Sequence, residues 1–291
     1  MGGVLRVTVL AAPPVQSSLA HYRCGPPAGC MKVNSMTMSR GIVATIVWTV
    51  GLAGCSATSP PSDSAPSSAE VPSEAPSQQA VSLGEGNQEL DAGTYRVDLT
   101  SLAAGADPYP ALELVVPDGW VAVDGWALNR PAAGQDAPAV AVTFWDVEEV
   151  YGHPCTWTDT LADPGPSVED LVSALVEVPM RNATEPVAVE VDGRSGTYLE
   201  WSVPTDIAFE DNGDFPDCDL TNDGHRDFRS WTASGWSSDR YHQGPGQVDR
   251  LWILDVDGER LVIDAFSMPS ASTKEVEELV GVVSSIRFID G

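Results

Sequence analysis

Positive charge is scarce in this chain: 15 Lys and Arg stand against 42 Asp and Glu in 291 residues, a formal balance of −27. An acid excess of this size opposes nucleic acid and anionic lipid as direct partners and favours solubility and cation binding. A solvated acidic surface with no partner would have the same composition. Long apolar runs are missing too: the stretch GIVATIVWTVGLAG, residues 41–54, has fourteen residues, short of the ~20 that a membrane-spanning helix needs. Catalytic signatures are also absent. There is no His-Glu-x-x-His, phosphate loop or dinucleotide fingerprint, and Gly193-Arg194-Ser195-Gly196 has the wrong spacing for a nucleophile elbow and falls in a hairpin turn. His153, His225 and His242 could still meet a serine and an aspartate in space, since triads are recognised by geometry rather than order. Paired carboxylates for glycoside hydrolysis are unspecific in so acidic a chain.

What is present begins with an address label. Residues 31–40 carry Lys32 and Arg40 and three potential start methionines, Met31, Met36 and Met38; the uncharged run follows, and no acid occurs before residue 55. A short basic region before a fourteen-residue apolar core reads as a secretory signal. Its end, Leu52-Ala53-Gly54-Cys55, resembles the lipobox of bacterial lipoproteins. That resemblance implies that Cys55 is the first mature residue, with a diacylglyceryl thioether on sulfur and an acyl chain on the amine. Two or more chains, at ~0.8 kcal/mol per buried CH₂, hold a protein stably on a membrane where one does not. A cysteine that merely ends a buried helix, or cleavage without lipid, are the alternatives. Residues 1–30 precede the signal and are expected to be a mis-annotated extension. Removing residues 1–54 leaves 11 basic residues against 42 acidic, a balance of −31.

Residues 55–87 are Ser, Pro, Ala and Glu with scarcely a large apolar side chain, so this stretch reads as a disordered tether. Residues 88–291 then read as a single extracytoplasmic domain. Asp192-Gly193 and Asp257-Gly258 separate alternating apolar runs, predicting hairpins of residues 187–191 with 197–203 and of 251–256 with 259–266. Further strands are predicted at 94–99, 112–116, 120–123, 140–147 and 286–289. Val168, Leu171, Val172, Leu175 and Val176 recur at helical spacing, as do Val276, Leu279, Val280 and Val283 after a Ser272…Glu275 capping box. The expected fold is α+β, a mostly antiparallel sheet with two packed helices, in two halves that each join a hairpin to a helix.

Lysine occurs twice against thirteen arginines, amid much Ala, Gly and Pro, which is similar to actinobacterial secreted proteins. The "VPDGW" turn, the "DVDGERLVI" hairpin and the closing "ELVGVVSSIRF" together resemble actinobacterial lipoproteins with a Mog1/PsbP-like domain. The resemblance covers most of residues 110–290 and implies a sandwich with binding or accessory roles more readily than catalysis.

Two cysteines lie beyond the anchor. In an exported domain Cys155 and Cys218 are most simply a disulfide, and closing so long a loop contributes roughly 4 kcal/mol by chain entropy. Free thiols or a metal pair are the alternatives. The sharpest local signal is "DCDLTNDGHRDF": Asp219, Thr221, Asp223 and Asp227 around Gly224 have the spacing of a calcium loop and resemble those of FG-GAP repeats, with Thr221 in place of the second carboxylate. Calcium is therefore the one candidate cofactor, and a plain acidic surface loop is the other reading. In "RSWTASGWSSDRYHQG", Trp231, Trp236, Tyr241 and His242 could stack on a flat ligand or pin the loop to the sheet. Trp120, Trp126, Trp145, Trp157, Trp201 and Trp252 are expected in the core. Together these readings predict a lipid-anchored cell-membrane protein whose domain binds an envelope protein or small ligand without catalysis. The alternative is a hydrolase of an envelope polymer or ester.

Overall fold

The computed structural model describes residues 80–100, 102, 109–134, 137–234 and 239–289. Cys55, the signal, the tether as far as residue 79 and Trp236 lie outside the described residues. In chain order the strands are β1 (Val81–Ser82), β2 (Asn87–Leu90), β3 (Gly93–Val97), β4 (Ala111–Val116), β5 (Trp120–Val123), β6 (Ala127–Pro131), β7 (Pro138–Trp145), β8 (Val147–Tyr151) and β9 (Leu161–Ala162). Helix α1 (Val168–Glu177) follows, then β10 (Val187–Val191), β11 (Arg194–Ser202), β12 (Arg229–Ala233), β13 (Arg240–Tyr241), β14 (Val248–Val256), β15 (Glu259–Ser267), α2 (Thr273–Ser284) and β16 (Arg287–Ile289).

The fold is α+β and mostly antiparallel. An eight-stranded sheet in the order β10-β11-β14-β15-β7-β6-β5-β2 forms its centre, and both predicted hairpins belong to it, joined where β11 pairs β14. The two turns have positive φ at both central residues, 47° and 79° at Asp192-Gly193 and 58° and 93° at Asp257-Gly258. That backbone matches the twist of the flanking strands, and Asp-Gly accepts it at low cost.

Alternation along the central strands feeds two cores. One face places Val142, Phe144 and Ile263 against α2 and the sheet β1-β3-β4-β16. The other places Trp145, Leu199, Trp201 and Ile253 against α1 and the sheet β13-β12-β8-β9. Both helices begin with a capping box: Ser167 with Asp170, and Ser272 with Glu275, each satisfying two backbone amides that the first turn leaves open. The buried stripes are narrower than the apolar patterns, since Val176 and Val280 point outward.

Two differences from the sequence reading have simple causes, and the expected disulfide is present. Residues 81–87, expected in the tether, are part of the fold: β1 pairs β3 in parallel, the Leu83 amide donates to the Arg96 carbonyl at 3.0 Å, and Leu83 packs on the core. These few apolar residues escape notice in a Ser/Pro-rich average. The run 140–147 breaks at Asp146, where the chain passes from the central sheet to β8 in the small one. Cys155 and Cys218 form a disulfide across 63 residues, packed with Val203, Phe215 and Phe228 beneath the acidic loop.

Candidate functional site

The calcium-spaced residues do not converge. Asp219 Oδ2 accepts the Thr158 amide at 2.8 Å, and this hydrogen bond holds its carboxyl below the usual range. The Thr221 hydroxyl bonds the Asp223 carboxylate and accepts the His225 amide at 2.9 Å. Asp227 turns back to Arg229 at 3.4 Å. Among the described residues no group of three or more His, Cys, Asp or Glu gathers as a metal site. The threonine in place of the second carboxylate closes the loop on itself.

In the aromatic loop, residues 229–233 form strand β12, and Trp231, for which stacking on a ligand and pinning the loop to the sheet are the two readings, is 1% exposed in a stack with Trp145 and Trp201, both centroids at 6.0 Å. Tyr241 is half-buried in β13. Of the other tryptophans, Trp120, Trp126, Trp145 and Trp201 are core, while Trp157 lies half-buried under the Arg229 guanidinium and Trp252 beside Tyr198.

Among the described residues each histidine has a defined partner. His153 Nδ1 accepts the Cys155 and Thr156 amides at 3.2 and 2.9 Å, and His225 Nδ1 lies 3.1 Å from Asp214 Oδ1. His242 is 3% exposed and has the connectivity of a triad: Ser230 Oγ is 2.5 Å from Nε2, and Asp249 Oδ2 is 3.3 Å from Nδ1. Ser230 and Asp249 are 0% and 1% exposed.

Gln247, wholly buried, ties the histidine to the aspartate. Its Oε1 accepts the Gln243 amide at 2.7 Å, so Nε2 is the donating end, reaching Asp249 Oδ1 at 2.6 Å and His242 Nδ1 at 3.1 Å. Nδ1 thus faces two groups at once, the Gln247 amide and Asp249 Oδ2. A general base needs Nδ1–H on the aspartate, a free Nε2 facing the serine and access to substrate, and the burial of all three residues denies that access.

Burial and the neighbouring Arg181 hold the imidazole neutral, with its pKa pushed down to about 3. The rest of the cluster is a closed ionic core. Arg240 bridges Asp264 Oδ2 at 2.6 Å and Asp249 Oδ1 at 2.8 Å. Arg181 reaches Asp249 Oδ2 at 3.2 Å and stacks on Trp201 at 4.2 Å. Burial raises Asp264 to about 7. Asp249 is held below the carboxylate range: burial opposes this, and His242, Arg240 and Arg181 outweigh it.

The open site lies elsewhere. A cleft of about 500 Å³ runs between the first turn of α1 and the β10–β11 and β14–β15 hairpins. Ala188, Ser195 and Thr197 line its floor, and Glu169, Asp255, Glu259 and Arg260 its walls. The three carboxylates are exposed, whereas the guanidinium of Arg260 is committed to the backbone. It donates to the carbonyls of Gly165, Ser167 (3.2 Å) and Val147 (2.7 Å). The cleft therefore offers negative charge and hydroxyls in a volume typical of small-ligand or peptide side-chain pockets.

No single stretch of sequence marks this cleft, because helix N-terminus and hairpins meet only in the fold. Comparison with protein-family models and with curated proteins finds no match for the chain.

Proposed function

We propose that the protein is a lipid-anchored, extracytoplasmic binding domain of the cell envelope, held at the membrane through Cys55 and carried on a Ser/Pro tether. Its domain is a sandwich of the Mog1/PsbP-like kind. The observation that carries the binding reading is the burial of the Ser230–His242–Asp249 arrangement, which closes it to substrate. It leaves the acidic cleft beside α1 as the place where the domain meets another molecule. The lipobox-like Leu52-Ala53-Gly54-Cys55 supports the anchor. Replacing Cys55 with Ala is expected to move the protein from the membrane fraction to the soluble one. Retention of the variant on membranes would refute the anchor.

The same arrangement is what favours the second reading, a hydrolase of an envelope ester. If Ser230 were a nucleophile, a fluorophosphonate probe would label the wild type and not Ser230→Ala. The binding reading predicts no labelling of native protein.

A further inference from the structure

We infer that the partner is an extended, basic peptide segment that adds as a strand to the β10 edge and places a Lys or Arg side chain in the acidic cleft. This rests on the binding reading above and names the partner's chemistry.

β10 is an end strand of the central sheet, paired only with β11 among the described residues. The hairpin has two turn residues, so its closing pair, Val191 with Arg194, exchanges both hydrogen bonds. Alternation then makes Val189 with Gly196 and Val187 with Tyr198 bonded pairs, and turns the amides and carbonyls of Ala188 and Glu190 outward. No backbone bond to either is made from outside the hairpin among the described residues. Edges are usually blunted by Lys, Pro or a bulge. β10 reads Val-Ala-Val-Glu-Val, keeps an unbroken register, and exposes Val187 at 56%.

The side chains of Ala188 and Glu190 share the face that carries the cleft, because Ala188 and its cross-strand partner Thr197 both line it. A strand laid against β10 therefore sends alternate side chains over that cleft. Glu190, Glu169, Asp255 and Glu259 are exposed there, and Arg260 is engaged by carbonyls. Charge complementarity selects a cationic side chain. It also disfavours a second copy of this chain, which would bring two such acidic clefts and two chains of −27 together.

The test titrates a fluorescent peptide of alternating Lys and Val, and its Glu/Val counterpart, into the full chain in non-ionic detergent. The Lys/Val peptide is expected to bind and the Glu/Val peptide not. Neutralising the cleft (Glu169→Gln, Asp255→Asn, Glu259→Gln) is expected to weaken binding about tenfold or more, and high salt likewise. Ala188→Pro removes an outward amide that β11 does not use, so it should preserve the melting temperature and abolish binding. Equal binding of both peptides, binding indifferent to Ala188→Pro, or a dimer dispersed by Ala188→Pro would each overturn the inference. Failure here while a native partner still crosslinks from the cleft would sink the strand-addition account alone. Failure of both would sink the binding reading with it.

Discussion

His242 is buried between Ser230, Gln247 and Asp249, and nitrogen-15 NMR is expected to show its ring neutral down to about pH 4. The same residue shapes the acid response. Its folded value, about 3, lies below the unfolded ~6.5, so the unfolded chain takes up a proton first. From ~6.5 downward folding loses on the order of 1 kcal/mol per pH unit from this site, until the folded value is reached. Asp264, raised to about 7, works in the opposite sense, and Asp249, held low, adds a loss only in stronger acid. The clean comparison is wild type against His242→Gln in urea melts: the stability difference should shift with pH below ~6.5 and stay flat above it. Arg181 is a separate case. Truncating it to Ala leaves Asp249 buried with one cation fewer and Trp201 without its stacked guanidinium, an expected loss of about 3–5 kcal/mol.

The elements readable from sequence are those whose local chemistry and packing agree. Asp-Gly turns gave away β10–β11 and β14–β15, and the Ser272…Glu275 box gave away α2. β12 was hidden because Arg-Ser-Trp-Thr-Ala sits among serines and glycines, and only its pairing with β8 makes Trp231 a core residue. β6 was missed for a related reason: a short strand ending in Pro131 depends on β5 and β7 for its place. Site residues follow the same division. The cleft joins Glu169, Ala188, Asp255 and Arg260, which no periodicity connects. At Gly196 β11 comes so close to β14 that a Cβ would collide with the Ile253 carbonyl. Gly196→Ala is expected to cost about 1–3 kcal/mol in urea unfolding. Ser167→Ala, which opens the capping box of α1 at the mouth of the cleft, should cost about 1 kcal/mol by the same measurement.

For the whole molecule, the proposed fatty anchor at Cys55 and the proposed tether would hold at the membrane a strongly acidic domain that anionic lipid repels. The disulfide locks the acidic loop to the 151–160 segment, with Cys155 and Cys218 6% and 1% exposed. The double variant Cys155→Ala/Cys218→Ala is expected to lose about 2–5 kcal/mol, visible as a lower urea midpoint. The central claim is that the acidic cleft beside α1 meets a partner at the envelope. The most direct measurement is photo-crosslinking in intact cells from a probe at Ser195, which lines the cleft, with a second probe at Lys274 on α2, which packs on the opposite face of the central sheet. The account predicts an adduct from Ser195 that the Lys/Val peptide competes away, and none from Lys274. No adduct from Ser195, or an adduct from Lys274 alone, would contradict it, whereas a Ser195 adduct that the peptide leaves untouched would sink only the strand-addition account.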